Sequence, residues 1–114
     1  MDLGRHYMAL TVQDIAASKE FYEKLGFTAD PSCGGIEQRW LIMVNGNSVI
    51  GLYQGMFPKN ILTFNPTDAR SIHRELSEKG VTFDMASGIE NESGPCHFAL
   101  TDPDGNPVLV DQHF

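Results

Sequence analysis

The stretch "DIAASKEFYEKLGFTAD" (residues 14–30) decides the fold, because the chain repeats its pattern at residues 68–84, "DARSIHRELSEKGVTFD". In both copies an Asp stands near the start of a helical pattern, and a Gly follows its end. Asp is a favoured helix N-cap, and Gly ends helices because it tolerates the left-handed conformation. The repeat therefore predicts two equivalent helices in two half-chains.

Segments typical of β-strands flank both predicted helices, and each half of the chain therefore predicts the order βαβββ. Asn45-Gly46-Asn47 is a hairpin signal between two of these strands, and Asp102–Asn106 forms a turn before the last one. The predicted strands are residues 6–12, a short strand near Phe27, 39–44, 48–54, 60–65, 81–83, 96–101 and 107–112.

The linker "GMFPK" (residues 55–59) is short, which favours two halves that pack as one unit. We expect a single domain over residues 1–114, with module one at about 4–54 and module two at about 59–113. Consecutive strands after each helix predict mostly antiparallel sheets with the helices on one face. This is an α+β architecture.

Composition restricts the class of protein. The chain has 114 residues, of which 41% are hydrophobic and 20% are charged, as in a globular domain with one core. Its formal net charge of −7 repels phosphates and argues against a nucleic-acid partner. Apolar stretches are too short for a membrane span, so we expect no membrane partner and a cytoplasmic location. Cys33 and Cys96 are expected to be free thiols.

Two motifs carry a family resemblance over essentially the whole chain. "ALTVQDIAASKEFYEKLGF" (residues 9–27) and "LTDPDGNPVLVD" (residues 100–111), in this order and spacing, resemble the vicinal oxygen chelate superfamily. That superfamily includes glyoxalase I, extradiol dioxygenases, and fosfomycin and bleomycin resistance proteins. The resemblance implies paired βαβββ modules whose sheets curl around a shared cavity, and a homodimer.

The resemblance also implies where a divalent metal would be held in the enzymes of the superfamily. Their His and Glu ligands come from the first and last strands of each module, and the metal acts as a Lewis acid. The matching positions in this chain are Tyr7, Gly51, Ile61 and Leu109. None of these is a normal ligand for a divalent cation, so we expect no metal and no other cofactor.

The residues expected to face the cavity are the candidates for ligand binding. For Tyr7 two alternatives stay open: its phenol hydrogen-bonds a ligand, or its ring fills the space of the absent metal. Asp111 either attracts a cation at the cavity mouth or is a surface carboxylate. The candidates are Tyr7, Thr11, Trp40, Gly51, Tyr53, Ile61, Thr63, Asn65, Leu109 and Asp111.

The sequence favours a metal-free binding protein that sequesters an apolar or aromatic small molecule, with positive charge on that molecule compatible with the acidic chain. No catalytic residue is assigned. One alternative is a glyoxalase-type lyase or isomerase, either without metal or with a displaced site built from His6, His97, His113 and Asp111. The other is a non-catalytic scaffold whose cavity is filled by side chains.

Overall fold

The structure is a computed structural model that describes residues 1–114. Its elements follow the order βαβββ twice, which confirms the predicted α+β fold of two modules. The elements are β1 (Arg5–Val12), α1 (Ile15–Lys24), β2 (Thr28–Gly35), β3 (Trp40–Asn45), β4 (Ser48–Gln54), β5 (Ile61–Asn65), α2 (Ala69–Glu78), β6 (Met85–Ser87), β7 (Cys96–Thr101) and β8 (Pro107–Gln112).

The chain forms two compact units. The first unit is Tyr7–Asn60, and the second unit combines Met1–His6 with Ile61–Phe114. In the first unit the strand order is β2-β3-β4-β1, with β1 parallel to β4 and the other neighbours antiparallel. In the second unit the order is β5-β8-β7-β6, with β5 parallel to β8 and the other neighbours antiparallel.

Two predicted strands differ from the structure. The segment 31–35, which lies outside the predicted strands, continues β2 across Pro31, with a register shift between Ala29 and Gly34. β2 lies at the end of the strand order of its unit, where a proline costs no ladder hydrogen bond. The predicted strand 81–83 is not formed, and β6 begins only at Met85. The Phe83 ring instead stacks on His73 of α2.

Each unit has its own core between its helix and one face of its sheet. In the first unit Leu41, Met43 and Leu52 alternate along β3 and β4 and pack with Ile15 of α1. In the second unit the buried residues are Ala69, Ile72, Cys96, Phe98 and Val110. Because neighbours along a strand point to opposite faces, the residues between these core positions lie on the face without a helix.

A glutamine at the end of the last strand ties the helix of each unit to its sheet. The Ile15 N–H donates to Gln54 Oε1 at 2.9 Å, and the Ala69 N–H donates to Gln112 Oε1 at 2.8 Å. These amides belong to the first residue of each helix, which has no partner within the helix. The Asp14 and Asp68 carboxylates accept from the third helical residue instead. In each helix the glutamine thus satisfies the N–H of the first residue, and the Asp carboxylate satisfies the N–H of the third.

We expect Gln112→Leu to lower the free energy of unfolding by about 1–3 kcal/mol, because the buried Ala69 N–H loses its acceptor. Denaturant unfolding followed by circular dichroism measures this change. Gln13→Leu is the control, since Gln13 is exposed and should tolerate the same exchange within about 0.5 kcal/mol. Equal stability of the two variants would contradict a stabilising role for the hydrogen bond between Ala69 and Gln112.

The turn before β8 is organised by Asp102. Its carboxylate accepts from the Asn106 side chain at 2.8 Å, from the Asn106 backbone at 2.8 Å and from the Asp104 backbone at 2.9 Å. These hydrogen bonds, the side-chain bond of Asn106 first, lower the pKa of Asp102 from its ordinary value of 3.8. The folded state therefore favours the ionised carboxylate, whose stabilisation is present above the ordinary pKa and is lost as pH falls through the lowered value.

For Asp102→Asn we expect a lower melting temperature than wild type at neutral pH, and a difference that narrows as pH falls below the ordinary carboxyl pKa of 3.8. The cause is that acid neutralises the wild-type carboxylate, whereas the amide does not titrate. Thermal unfolding of both proteins across this pH range measures the difference. A difference in melting temperature that stays constant with pH would show that ionisation of Asp102 contributes nothing to stability.

Candidate functional site

The helix-free face of the first unit carries a group of aromatic side chains. Trp40 and Tyr53 are directly opposite each other on β3 and β4, so both point to the same face. Their rings are parallel within 8°, with centroids 6.2 Å apart. Both residues are half-buried. The two rings form a parallel aromatic pair, to which a planar ligand can add a further stacked ring.

Tyr7 joins this group through its phenol. The Tyr7 and Tyr53 hydroxyls are 3.0 Å apart and hydrogen-bonded. Gly51 is buried beneath the two rings: a Cβ at Gly51 would lie 2.6 Å from Tyr53 Cε2 and 3.0 Å from Tyr7 Cε2. The absent side chain of Gly51 is therefore what lets the two phenols meet over β4.

The linker supplies a third ring and is held by Thr11. The Phe57 ring contacts Tyr53 edge to face at a centroid distance of 5.2 Å. Thr11 donates its hydroxyl to the Phe57 carbonyl at 2.8 Å, and its N–H donates to Asn60 Oδ1 at 3.0 Å. Thr11 therefore positions the segment that carries Phe57, so its polar atoms have partners within the protein.

The corresponding face of the second unit is aliphatic in its middle. Leu109 pairs with Thr63 on one side and with Ala99 on the other. Thr63 is fully buried, and its hydroxyl donates to the Ile61 carbonyl at 3.3 Å. Ile61 and Leu109 are half-buried. Of this predicted set, Leu109 and Ile61 retain surface for a ligand, whereas Thr63 has none.

Beyond Leu109 the same face ends in a polar group. His113 Nε2 lies 3.2 Å from Asp111 Oδ2 and 3.2 Å from Asn65 Nδ2. The Asn65 amide also donates to the Asp111 carbonyl at 3.0 Å, which fixes its orientation. Because one ring nitrogen faces both an acceptor and a donor, its protonation decides which bond forms. With a proton Nε2 donates to Asp111, and without one it accepts from Asn65.

The residues present do not fit the divalent metal of the resembled enzymes. Gly51 and Leu109 offer no donor atom, and no three His, Cys, Asp or Glu side chains converge on a point where an ion could bind. His6, one of the histidines proposed for a displaced metal site, has its ring nitrogen occupied by another partner. His6 Nδ1 donates to the Thr63 carbonyl at 3.0 Å, and its ring lies 4.9 Å from that of Phe64.

Comparison with known proteins places this geometry in a family. The profile of the Glyoxalase/Bleomycin resistance protein/Dioxygenase superfamily matches residues 4–110. The chain belongs to this superfamily. The resemblance predicted from the sequence is thereby confirmed. No protein with a curated description matches the chain significantly.

Several solved structures share the fold. A superfamily member from Vibrio splendidus superposes with a TM-score of 0.69 at 14% identity, covering 95% of this chain and 97% of that chain. A Legionella pneumophila protein described as an NAD-dependent benzaldehyde dehydrogenase gives 0.69 at 22% identity, covering 96% and 99%. Methylmalonyl-CoA epimerase from Streptomyces coelicolor gives 0.64 at 17% identity, covering 98% and 96%. At these identities the likeness shows the fold alone. No helix of this superfamily member has the length and apolar character needed to cross a membrane.

Sequence reasoning missed two residues that the structure adds to these faces. Phe57 lies in the linker, and its contact with Tyr53 depends on the hydrogen bonds of Thr11. His113 was considered as a metal ligand and not as the partner of Asp111 and Asn65. Its position two residues after Asp111 and directly after the end of β8 was the available signal, because residues two apart along an extended segment share a face.

We expect Gly51→Ala to lower the free energy of unfolding by about 1–3 kcal/mol and to shift Trp40 fluorescence, because the new methyl group displaces the Tyr53 ring. Gly35→Ala in β2 is the matched control. Its Cβ would meet only Gln38, whose amide is exposed and can move. Equal effects of the two substitutions, or an unshifted emission in Gly51→Ala, would refute the close packing around Gly51.

Proposed function

We propose that this superfamily member binds a planar, apolar or aromatic small molecule on the helix-free face of its first unit, without a metal. The observation that carries the proposal is the parallel pair Trp40 and Tyr53, bordered by Tyr7 and Phe57. A half-buried aromatic surface with a hydroxyl pair at its edge suits ring stacking and one directional hydrogen bond. Sequestration needs no bond making, so it requires no catalytic group.

The candidate residues contribute different interactions in this proposal. Trp40 and Tyr53 stack on the ligand, and the Tyr7 phenol hydrogen-bonds its polar edge. Gly51 clears the space under the rings, and Thr11 acts indirectly by holding Phe57. The candidates of the second unit are not part of this proposed site: Leu109 and Ile61 belong to an aliphatic surface of that unit, and Asp111 and Asn65 belong to its polar end.

The compartment is also part of the proposal. Cys33 and Cys96 are both free, as is usual for proteins of a reducing compartment. Burial raises the pKa of the Cys96 thiol, which keeps it protonated and unreactive. These thiols support the expected cytoplasmic location, where a sequestering protein would meet an intracellular small molecule.

The single tryptophan gives a direct test, because only Trp40 reports on binding by fluorescence. We expect planar bicyclic aromatic compounds to quench Trp40 and to raise the melting temperature by mass action. Tyr53→Leu should weaken the affinity about tenfold through the loss of one ring contact. The control Tyr53→Phe keeps the ring and should retain most of the affinity.

Each outcome of this test separates the candidate functions. A panel in which no compound shifts the melting temperature would favour a scaffold with a filled cavity. Binding that Tyr53→Leu leaves unchanged would place the ligand elsewhere and overturn the proposed site. Recovery of the bound compound unaltered after incubation supports sequestration.

A lyase or isomerase is the second candidate, and one observation favours it. When His113 Nε2 carries the proton and donates it to Asp111 Oδ2 at 3.2 Å, Nδ1 is the nitrogen that can accept a proton from a bound molecule. Under this alternative the recovered compound is converted, and His113→Gln abolishes the conversion but not the binding. Unaltered recovery with wild type excludes it for the compounds tested.

A further inference from the structure

A groove lies between α2 and the loop that precedes β7, and we call it the α2 groove. Its volume is about 540 Å³, within the range of about 300–1,000 Å³ that is typical of small-molecule sites. Helix α2 forms one wall, and the loop 88–94 forms the other. The lining residues, which all belong to the second unit, are Arg70, His73, Arg74, Ser77, Ile89, Asn91 and Glu92.

Arg70 anchors the loop to the helix. Its Nη1 donates to the Gly94 carbonyl at 3.0 Å, and its Nη2 donates to the Gly88 and Ser93 carbonyls at 2.9 and 3.1 Å. These carbonyls lie at the two ends of the loop, so one side chain holds both ends while the tip, residues 89–92, borders the groove. A polar loop thereby has a defined position relative to α2.

The α2 wall carries positive charge that no acidic side chain pairs. Arg70 donates only to carbonyl oxygens, and its Nε is buried without a hydrogen-bond partner. Arg74, one helical turn later, is exposed and belongs to none of the ion pairs of the helices. Guanidinium groups bind oxyanions through paired, charge-assisted hydrogen bonds. This wall therefore offers a place for an oxyanion on a chain whose formal net charge is −7.

The loop wall carries the opposite charge. Glu92 at the loop tip is exposed, and it forms no ion pair with Arg70 or Arg74 although all three line the groove. Its carboxylate disfavours a ligand with only negative charge and favours one that also has a cationic group. Ile89, which packs against the core of the unit, adds apolar surface to the lining. The two walls together match a molecule with an oxyanion and an ammonium group.

The first module has a groove at the corresponding place. Its volume is about 350 Å³, and its lining includes Lys19 of α1 and residues 34–38 between α1 and β3. Lys19 already pairs with Glu23 at 3.3 Å. The fold therefore produces a groove between helix and loop in both modules, but the helix cation of the first module has a partner within the helix.

The internal repeat also shows that the helix does not require the two arginines. Because the repeat pairs residue 14 with residue 68, Arg70 corresponds to Ala16 and Arg74 corresponds to Glu20. Both helices have an Asp N-cap and the same length of ten residues. A helix of this fold thus forms with a neutral and an acidic residue at these positions, and the arginines of α2 are open to another role.

We propose that the α2 groove binds a small zwitterion of the α-amino acid type. The carboxylate of the ligand binds Arg74, its ammonium group faces Glu92, and its side chain contacts Ile89. Arg70 is a positioning residue, because it holds the loop that carries Glu92. This inference is independent of the proposed aromatic ligand, since the aromatic pair belongs to the first unit and the groove belongs to the second.

Titration of the isotope-labelled full chain with the standard L-amino acids, followed by amide NMR, tests the proposal. We expect binding of at least one of them, with shifts confined to Arg74 and residues 89–92 and no quenching of Trp40. For leucine, whose aliphatic side chain suits Ile89, isocaproate lacks the amine and isoamylamine lacks the carboxylate. Each analogue should bind at least about tenfold more weakly, because it loses one charge-assisted contact. Other binders are tested with their own analogues.

Charge variants identify the two walls. Arg74→Glu gives α2 the residue that α1 carries at this position, so the variant is expected to fold, and it should weaken amino-acid binding at least about tenfold. Arg5→Glu is the matched control, because it makes the same exchange at an exposed position outside the groove and should leave the affinity unchanged. Glu92→Gln should weaken binding of the amino acid but not of its deaminated analogue.

Three results would overturn the proposal. The first is that no amino acid shifts the signals of the groove, and the second is that a deaminated analogue binds as tightly as its amino acid. The third is that Arg5→Glu weakens binding as much as Arg74→Glu. Quenching of Trp40 by aromatic compounds is measured separately, so failure of one proposal does not imply failure of the other.

Discussion

In each unit one hydrogen bond joins the first N–H of the helix to a glutamine at the end of a strand. The position of the helix on its sheet depends on this bond. Gln54 is the last residue of β4, and its side chain accepts from the first N–H of α1. Gln112 is the last residue of β8, and its side chain accepts from the first N–H of α2. The bond fixes the helix to one face of the sheet at a point where the helix would otherwise expose an unpaired N–H. Because the helix is held on one face, the other face stays open for side chains that serve no core.

The open faces differ although the backbones correspond. In the first unit a glycine on the last strand leaves space for the rings of Tyr7 and Tyr53. In the second unit the matching region is occupied by Leu109, which pairs with the buried Thr63. Side-chain volume at one strand position therefore decides between an aromatic surface and an aliphatic one.

Much of the fold could be predicted from the sequence because its signals are local. Asp14 and Asp68 cap the helices as predicted, and the β3–β4 turn lies at Gly46, with a φ of 56°. The failures have tertiary causes. β2 continues across Pro31 because β3 offers it a partner, and residues 81–83 leave the sheet because Phe83 packs on His73. No local pattern records either contact.

The candidate site was predictable in part for the same reason. Strand alternation correctly brings Trp40 and Tyr53 to one face, since period-two order is a local property. The contact of Phe57 with Tyr53 was not predictable, because it depends on a linker whose path is set by the Thr11 hydroxyl. The burial of Thr63 could not be predicted either. Strand alternation gives the face on which a residue lies but not how closely its neighbours cover it.

The four positions that resemble metal-ligand positions are all neutral, and their shared neutrality has a physical consequence. A His and Glu set that holds no cation would leave carboxylates and imidazoles close together in a partly buried place, where unpaired charge is costly. Replacing a single ligand removes only part of that cost, whereas neutral residues at all four positions remove it. Tyr7, Gly51, Ile61 and Leu109 satisfy this condition together. In the first unit Tyr7 and Gly51 belong to an aromatic surface with a hydrogen-bonded phenol pair. In the second unit Ile61 and Leu109 belong to an aliphatic surface.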